Sequence, residues 1–232
     1  MDCELKNPLI VAHEDSVHIW WFPEDFTQER IGEKSLGSNA CTVIILLVAQ
    51  TLHELADWSI EFEENSPFQF ILIQLLKNSI RKGNELYKSF RKENQIKAIN
   101  LNIPESISAI GPEIKDLTEW QTSIYLMDLG DTLFNNLVDG IKDWESVQPP
   151  YNPELYVILI AGNHSVLWVF QDNQNKVLLI DTHGHNGKGA VVASVYFSEL
   201  KSLCHWYHSQ MLHCYNSQPK CYELTYFYFR WA

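Results

Sequence analysis

From Thr42 to Asp57 the chain reads TVIILLVAQTLHELAD, with apolar residues on nearly every side of a helix. Such a helix has no polar face to turn to water, so the rest of the fold must cover it all round. The chain can supply that cover. Its 232 residues are 46% hydrophobic and include 8 Trp, 10 Tyr and 11 Phe, enough for a sizeable core. The residues leading in are Gly37-Ser38-Asn39-Ala40-Cys41-Thr42. Ser38 or Asn39 can cap a helix that starts near Asn39, which puts Cys41 in its first turn. Helix N-termini carry partial positive charge and N–H groups that lower a thiol pKa and can hold an oxyanion. Cys41 is thus a candidate thiol nucleophile. A buried structural cysteine fits the same segment equally well.

Around this helix the chain divides into two kinds of sequence. Leu9–Ala12 and Val17–Phe22 are β-like runs, and residues 23–38, with Gly32 and Gly37, read as a polar loop. Phe68–Phe90 predicts a second helix interrupted at Gly83, and Thr122–Trp144 a third helical region broken at Gly130 and Gly140. Past Pro149-Pro150 come short runs rich in Val, Ile and aromatics: Leu155–Ala161, Val166–Gln171, Val177–Asp181, Ala190–Tyr196 and Tyr222–Trp231. The expected architecture is α+β, a single catalytic domain over 1–232. Its helical part, about 38–148, packs on a mostly antiparallel sheet from about 154–232.

Several function classes are disfavoured. The formal net charge of -12 gives no basic face to displace counterions from phosphates, so no nucleic-acid partner is expected. No G-x-G-x-x-G or Walker-type loop is present, and no nucleotide cofactor is expected. The five cysteines, Cys3, Cys41, Cys204, Cys214 and Cys221, form no disulfide framework. M-D-C-E-L-K is not a signal-peptide start, and the longest apolar run, Val43–Ala49, is too short for a bilayer. The expectation is a cytoplasmic or nuclear protein with no membrane partner. Cys204, His205, His208, His213 and Cys214 lack a recognised ligand spacing, so no metal is expected and they are read as packing among Trp206, Tyr207 and Tyr215.

Two histidines compete for the role of base. In Val177-Leu178-Leu179-Ile180-Asp181-Thr182-His183-Gly184-His185 a strand ends in Asp181, and His183 follows two residues later. In an extended backbone these side chains point the same way, so Asp181 can hold the His183 ring in one tautomer. His164, in Gly162-Asn163-His164-Ser165, starts the strand before and could be oriented by Asp181 instead. His185 is a possible substrate contact or an exposed turn residue. Trp168 is a possible cleft wall or a core residue.

Taken in order, these segments resemble the herpesvirus large-tegument-protein deubiquitinases and their cellular relatives. The matching residues are Gly37-Ser38-Asn39-Ala40-Cys41, then Gly83-Asn84-Glu85-Leu86-Tyr87, then Asn102-Ile103-Pro104. Last comes Asp181-Thr182-His183, trailed by Gly187, Gly189 and Ala190-Val191-Val192. The likeness spans roughly residues 26–195. It implies a papain-like cysteine protease fold, with Cys41 as nucleophile, His183 as base and Asp181 as its orienting partner. It also implies an upstream Gln completing the oxyanion hole, a position that Gln28 fits. Ala40 stands where the viral enzymes tend to have Gln, and Thr182 where they have Ser or Pro. The implied activity is hydrolysis after the C-terminal glycine of ubiquitin, with ubiquitin or polyubiquitin as partner. Glu61, Glu63 and Glu64 could face the basic ubiquitin tail, although a solvated loop accounts for them too. Two other readings are a papain-like protease of another substrate using Cys41, His164 and Asp181, and an inactive ubiquitin-binding or protein-binding adaptor.

Overall fold

A computed structural model of the chain describes residues 10–37, 39–55, 67–94, 99–147 and 154–230. Cys3, Ser38, Glu61, Glu63, Glu64 and Pro149-Pro150 lie outside them. Along the chain run β1 (Ile10–Glu14), β2 (Val17–Trp21), β3 (Phe26–Thr27), β4 (Arg30–Ile31), β5 (Lys34–Ser35), α1 (Cys41–Glu54), α2 (Pro67–Glu93) and α3 (Ile103–Ile110). There follow β6 (Leu117–Tyr125), α4 (Leu129–Val147), β7 (Glu154–Ala161), β8 (His164–Gln171), β9 (Lys176–Asp181), β10 (Val191–Tyr196), α5 (Leu200–Tyr215) and β11 (Tyr222–Phe229). The elements group into two compact units. The first comprises residues up to Ala12, His18–Lys115 and Ile180–Val192, and the second His13–Val17, Asp116–Leu179 and Ala193 onward.

The first unit is built on α1. Val43, Ile44, Ile45, Leu46, Val48 and Leu52 are all fully buried, as an apolar helix with no wet face demands. Each such side chain contributes about 1.5–3 kcal/mol by leaving water. The helices α2 and α3 pack against it. Sequence alone makes Gly83 a break in α2, yet α2 runs through it without interruption. The reason is proximity: a Cβ at Gly83 would sit 2.6 Å from Ile44 Cγ1 and 3.1 Å from Ile44 Cα, so glycine lets two helix backbones meet. The α3 N-terminus carries a capping box, with Asn102 Oδ1 accepting from Glu105 N and Glu105 Oε2 accepting from Asn102 N. Residues 26–35 are not a plain loop. They form the three-stranded meander β3-β4-β5. The unit's portions of β1, β2, β10 and β9 neighbour one another in that order.

In the second unit the antiparallel order β8-β7-β11-β6 is set by clear registers, Ala161↔His164, Tyr222↔Ala161 and Tyr222↔Tyr125. Gly162 and Asn163, both at positive φ, make the tight turn that joins β7 to β8. Two sequence expectations fail here. The third helical region begins at Leu129 rather than Thr122, and Leu117–Tyr125 before it is a strand. The helix α4 also passes unbroken through Gly130 and Gly140, because those glycines leave room for the His208 ring and the Tyr226 phenol. The β-rich second half contains a full helix, α5, whose Leu203, Cys204, Trp206 and Tyr207 are buried. Among the described residues no helix is long and apolar enough to cross a membrane.

Candidate active site

The first unit brings Cys41, Asp181 and His183 together. Cys41 is the first residue of α1, buried at the head of the helix. Of the two expected caps, Ser38 lies outside the described residues and Asn39 does not serve. The N-cap of α1 is Ala40 with no side-chain hydrogen bond, and Asn39 Nδ2 instead donates to Asn100 Oδ1 at 3.0 Å. Among the described residues no capping side chain covers the turn that carries the thiol.

Asp181 ends β9, and its position follows from strand geometry. His183 lies two residues on, and its Nδ1 is 2.6 Å from Asp181 Oδ1. The same oxygen accepts the His183 backbone N–H at 2.9 Å. With Nδ1 engaged, Nε2 is the nitrogen left for Cys41, whose side chain interacts with the ring by hydrogen bond and charge. Burial disfavours a charge on His183. The Asp181 carboxylate and the Cys41 side chain outweigh it, raising the imidazole from its ordinary 6.5 to about 10. Burial likewise disfavours the Asp181 carboxylate, and here His183 and His185 win, holding it well below the usual carboxylate range. A thiol beside an imidazole braced by a carboxylate can give its proton to nitrogen and persist as a thiolate–imidazolium pair.

Gln28 is placed by two backbone ties. Its N–H donates to Thr182 O at 2.7 Å, and its carbonyl accepts from Asn84 Nδ2 at 2.9 Å. The Asn84 amide also donates to Ile80 O at 2.8 Å within its own helix. Asn84 thus joins α2 to the β3–β4 turn that carries Gln28. Sequence reasoning saw Asn84 only as part of a motif. A buried Asn on an otherwise apolar helix face was the available signal for this role.

Of the other candidates, His164 and Trp168 belong to the second unit and His185 to the first. His164, at the start of β8 in the second unit, stacks on Tyr215 with ring centroids 4.1 Å apart. Trp168 is 0% exposed and packs edge-on against Tyr207, so it is a core residue and not a cleft wall. His185 is no exposed turn residue either. It is only 2% exposed, with its ring edge-on to Trp21 and Nε2 3.3 Å from Asp181 Oδ2. In α5, burial pushes the Cys204 thiol well up, which makes it an inert core thiol. Among the described residues no group of three or more His, Cys, Asp or Glu is placed to hold a metal ion.

No known family profile matches the sequence, and no curated protein does. Solved structures do resemble the fold. The ubiquitin-specific protease encoded by a murine cytomegalovirus tegument protein, crystallised with a ubiquitin-based suicide substrate, superposes with a TM-score of 0.50 at 13% identity, over 92% of this chain and 87% of that one. An avirulence protein of Pseudomonas gives 0.44 at 12% identity, over 82% of this chain and 91% of that one. The fold is α+β and papain-like, a mixture of helices and antiparallel sheet shared with the tegument protease.

Proposed function

We propose that the chain is a thiol hydrolase that cleaves after the C-terminal glycine of ubiquitin, with Cys41 as nucleophile, His183 as base and Asp181 as its orienting carboxylate. One observation carries the reading: at the first residue of a buried helix, a thiol meets a histidine whose far nitrogen rests 2.6 Å from a buried carboxylate. His183 takes the Cys41 proton, and the sulfur attacks the glycine carbonyl. The oxyanion forms beside the Cys41 backbone N–H, with the Gln28 amide as second donor. His183 then protonates the departing lysine amine, leaving a thioester. In the second half His183 deprotonates a water, which attacks the thioester and releases ubiquitin with a free carboxylate.

Ubiquitin is favoured as substrate by the fold shared with the tegument protease and by the segments that resemble that family, from the Cys41 approach to Asp181-Thr182-His183. His183 is favoured over His164 because Asp181 Oδ1 accepts both the ring and the backbone of His183. The test is labelling by a ubiquitin probe with a C-terminal electrophile. The reading requires labelling that vanishes in Cys41→Ala and His183→Ala and persists in His164→Ala. In Asp181→Asn it should slow by up to about 10⁴-fold, as when a triad carboxylate is made neutral. Unlabelled but folded wild-type protein, or labelling that ignores His183, would overturn it.

A further inference from the structure

Asp181 has two carboxylate oxygens, and the proposed triad uses one. The other, Oδ2, lies 3.3 Å from Nε2 of His185. His185 is itself held from behind, with Nδ1 2.9 Å from the Gly189 carbonyl oxygen. That carbonyl has little freedom. Gly189 N donates to Phe22 O at 2.9 Å, and the next residue, Ala190, donates to Phe26 O at 2.8 Å. A Cβ at Gly189 would overlap the Pro23 carbonyl oxygen, so the strand comes this close only because residue 189 is glycine.

The backbone that carries His185 is equally fixed. His185 and Lys188 exchange both backbone hydrogen bonds, at 2.8 and 2.9 Å, across Asn186 (φ 40°) and Gly187 (φ 83°). This is a two-residue hairpin turn of the Asn-Gly kind. Trp21 closes the side, with the His185 ring edge-on at 5.2 Å and the Lys188 ammonium 4.1 Å over the indole. Every one of these residues belongs to the first unit.

We propose that His185 is a positioning residue for the reaction: wedged between the Gly189 carbonyl and Asp181 Oδ2, it fixes the carboxylate so that Oδ1 meets His183 Nδ1. A carboxylate at the end of a strand is free to rotate about its side-chain torsions. With one oxygen pinned by a ring that cannot recede, rotation is lost, and the His183 ring stays aimed at Cys41. His185 also helps hold Asp181 as an anion, through charge and through its hydrogen bond. The inference rests on the catalytic reading of Cys41, His183 and Asp181 above.

Two substitutions separate positioning from packing. In His185→Asn the amide reaches the Gly189 carbonyl but falls short of Asp181. In His185→Gln the longer amide can donate at the Nε2 position. The full-length chain is treated with iodoacetamide at neutral pH, alkylation of Cys41 is followed by peptide mass, and the same proteins are titrated with the ubiquitin probe. Thermal melts run alongside. Positioning predicts that His185→Asn slows Cys41 alkylation about ten- to hundredfold, the scale of loss when a reacting group shifts by about 1 Å. Probe labelling should fall in maximal rate and not in apparent affinity, and His185→Gln should recover most of the rate.

Unchanged rates in both variants, or equal losses in both that track a lowered melting temperature, would overturn the inference while leaving the hydrolase reading intact. If wild-type Cys41 reacts no faster than the exposed Cys221, the hydrolase reading fails and the inference with it. If Cys41 reacts fast with iodoacetamide but not with the probe, only the choice of ubiquitin fails, and the alkylation comparison still decides the role of His185. Nitrogen-15 histidine spectra of the wild type give a readout independent of variant folding. Because the Gly189 carbonyl and Asp181 Oδ2 both accept, a His185 carrying protons on both Nδ1 and Nε2 is required, and one protonated only at Nδ1 would overturn the proposal.

Discussion

Replacing Gly189 with alanine should destabilise the protein by about 3–5 kcal/mol, beyond the usual range of overpacking. The Cβ would lie on top of the Pro23 carbonyl oxygen, 2.5 Å from Phe26 O and 3.0 Å from Pro23 C. All three are backbone atoms, so no side chain can swing aside and the chain itself must retreat. Retreat breaks contacts that depend on it: Gly189 N to Phe22 O, Ala190 N to Phe26 O and Phe22 N to Ala190 O, all at 2.8–2.9 Å. Each such bond carries a net ~0.5–1.5 kcal/mol. Gly187 supplies the control. It has positive φ and nothing within 4 Å of its missing Cβ, so Gly187→Ala carries only left-handed strain of about 1–2 kcal/mol. Urea titration of both variants gives the comparison, and in a chain of this size about 1 kcal/mol moves the melting temperature by roughly 2–4 °C. If Gly189→Ala is no less stable than Gly187→Ala, then crowding does not fix this segment and the geometric reasoning is wrong.

Asn84→Ala should lose about 1–3 kcal/mol, because it strands the Gln28 carbonyl inside the protein, and a loss below about 0.5 kcal/mol in urea would refute that role. The site also imposes a pH dependence on stability. His183 is raised from 6.5 to about 10, chiefly by Asp181; in Cys41→Ser, where no thiol surrenders a proton to the ring, the native state therefore binds more protons than the unfolded chain above pH 6.5. Its contribution is complete below pH 6.5 and shrinks as pH rises towards about 10. Urea midpoints of Cys41→Ser should therefore fall from pH 6.5 upward, and adding His183→Gln should flatten that fall below pH 9.0, before the buried Cys204 thiol adds its own. A Cys41→Ser profile as flat as the double variant's would contradict the Asp181–His183 pair.

Much of this was legible from residue pattern. The buried helix was expected to start near Asn39 and starts at Cys41, and the runs Leu155–Ala161, Val166–Gln171 and Val177–Asp181 mark β7, β8 and β9 to within two residues. Those elements are written in burial, and burial shows as apolar periodicity. What failed was set by tertiary contact. Gly83, Gly130 and Gly140 read as breaks because sequence does not show that Ile44, His208 and Tyr226 need the space. The strand Leu117–Tyr125 mixes Thr, Glu, Gln and Ser with apolar residues and presents no fully buried residue, so its pattern is weak. The D-x-H spacing singled out Asp181 and His183, but the second histidine looked like a surface turn. Only the fold reveals that Trp21 and Gly189 enclose it.

The first unit is discontinuous: its α1 is followed by the whole excursion of Asp116–Leu179 before the chain returns with Ile180–Val192. During synthesis this separates thiol from base in time. At roughly 5–20 residues per second, His183 is added roughly 7–28 s after Cys41. Throughout that interval the nascent chain carries Cys41 at the head of its most apolar segment without the His183 ring proposed to ionise it. On the proposed reading the thiol stays un-ionised until the last piece of its unit arrives, and a ribosome stalled anywhere before residue 180 yields a product with the sulfur and without its proposed base.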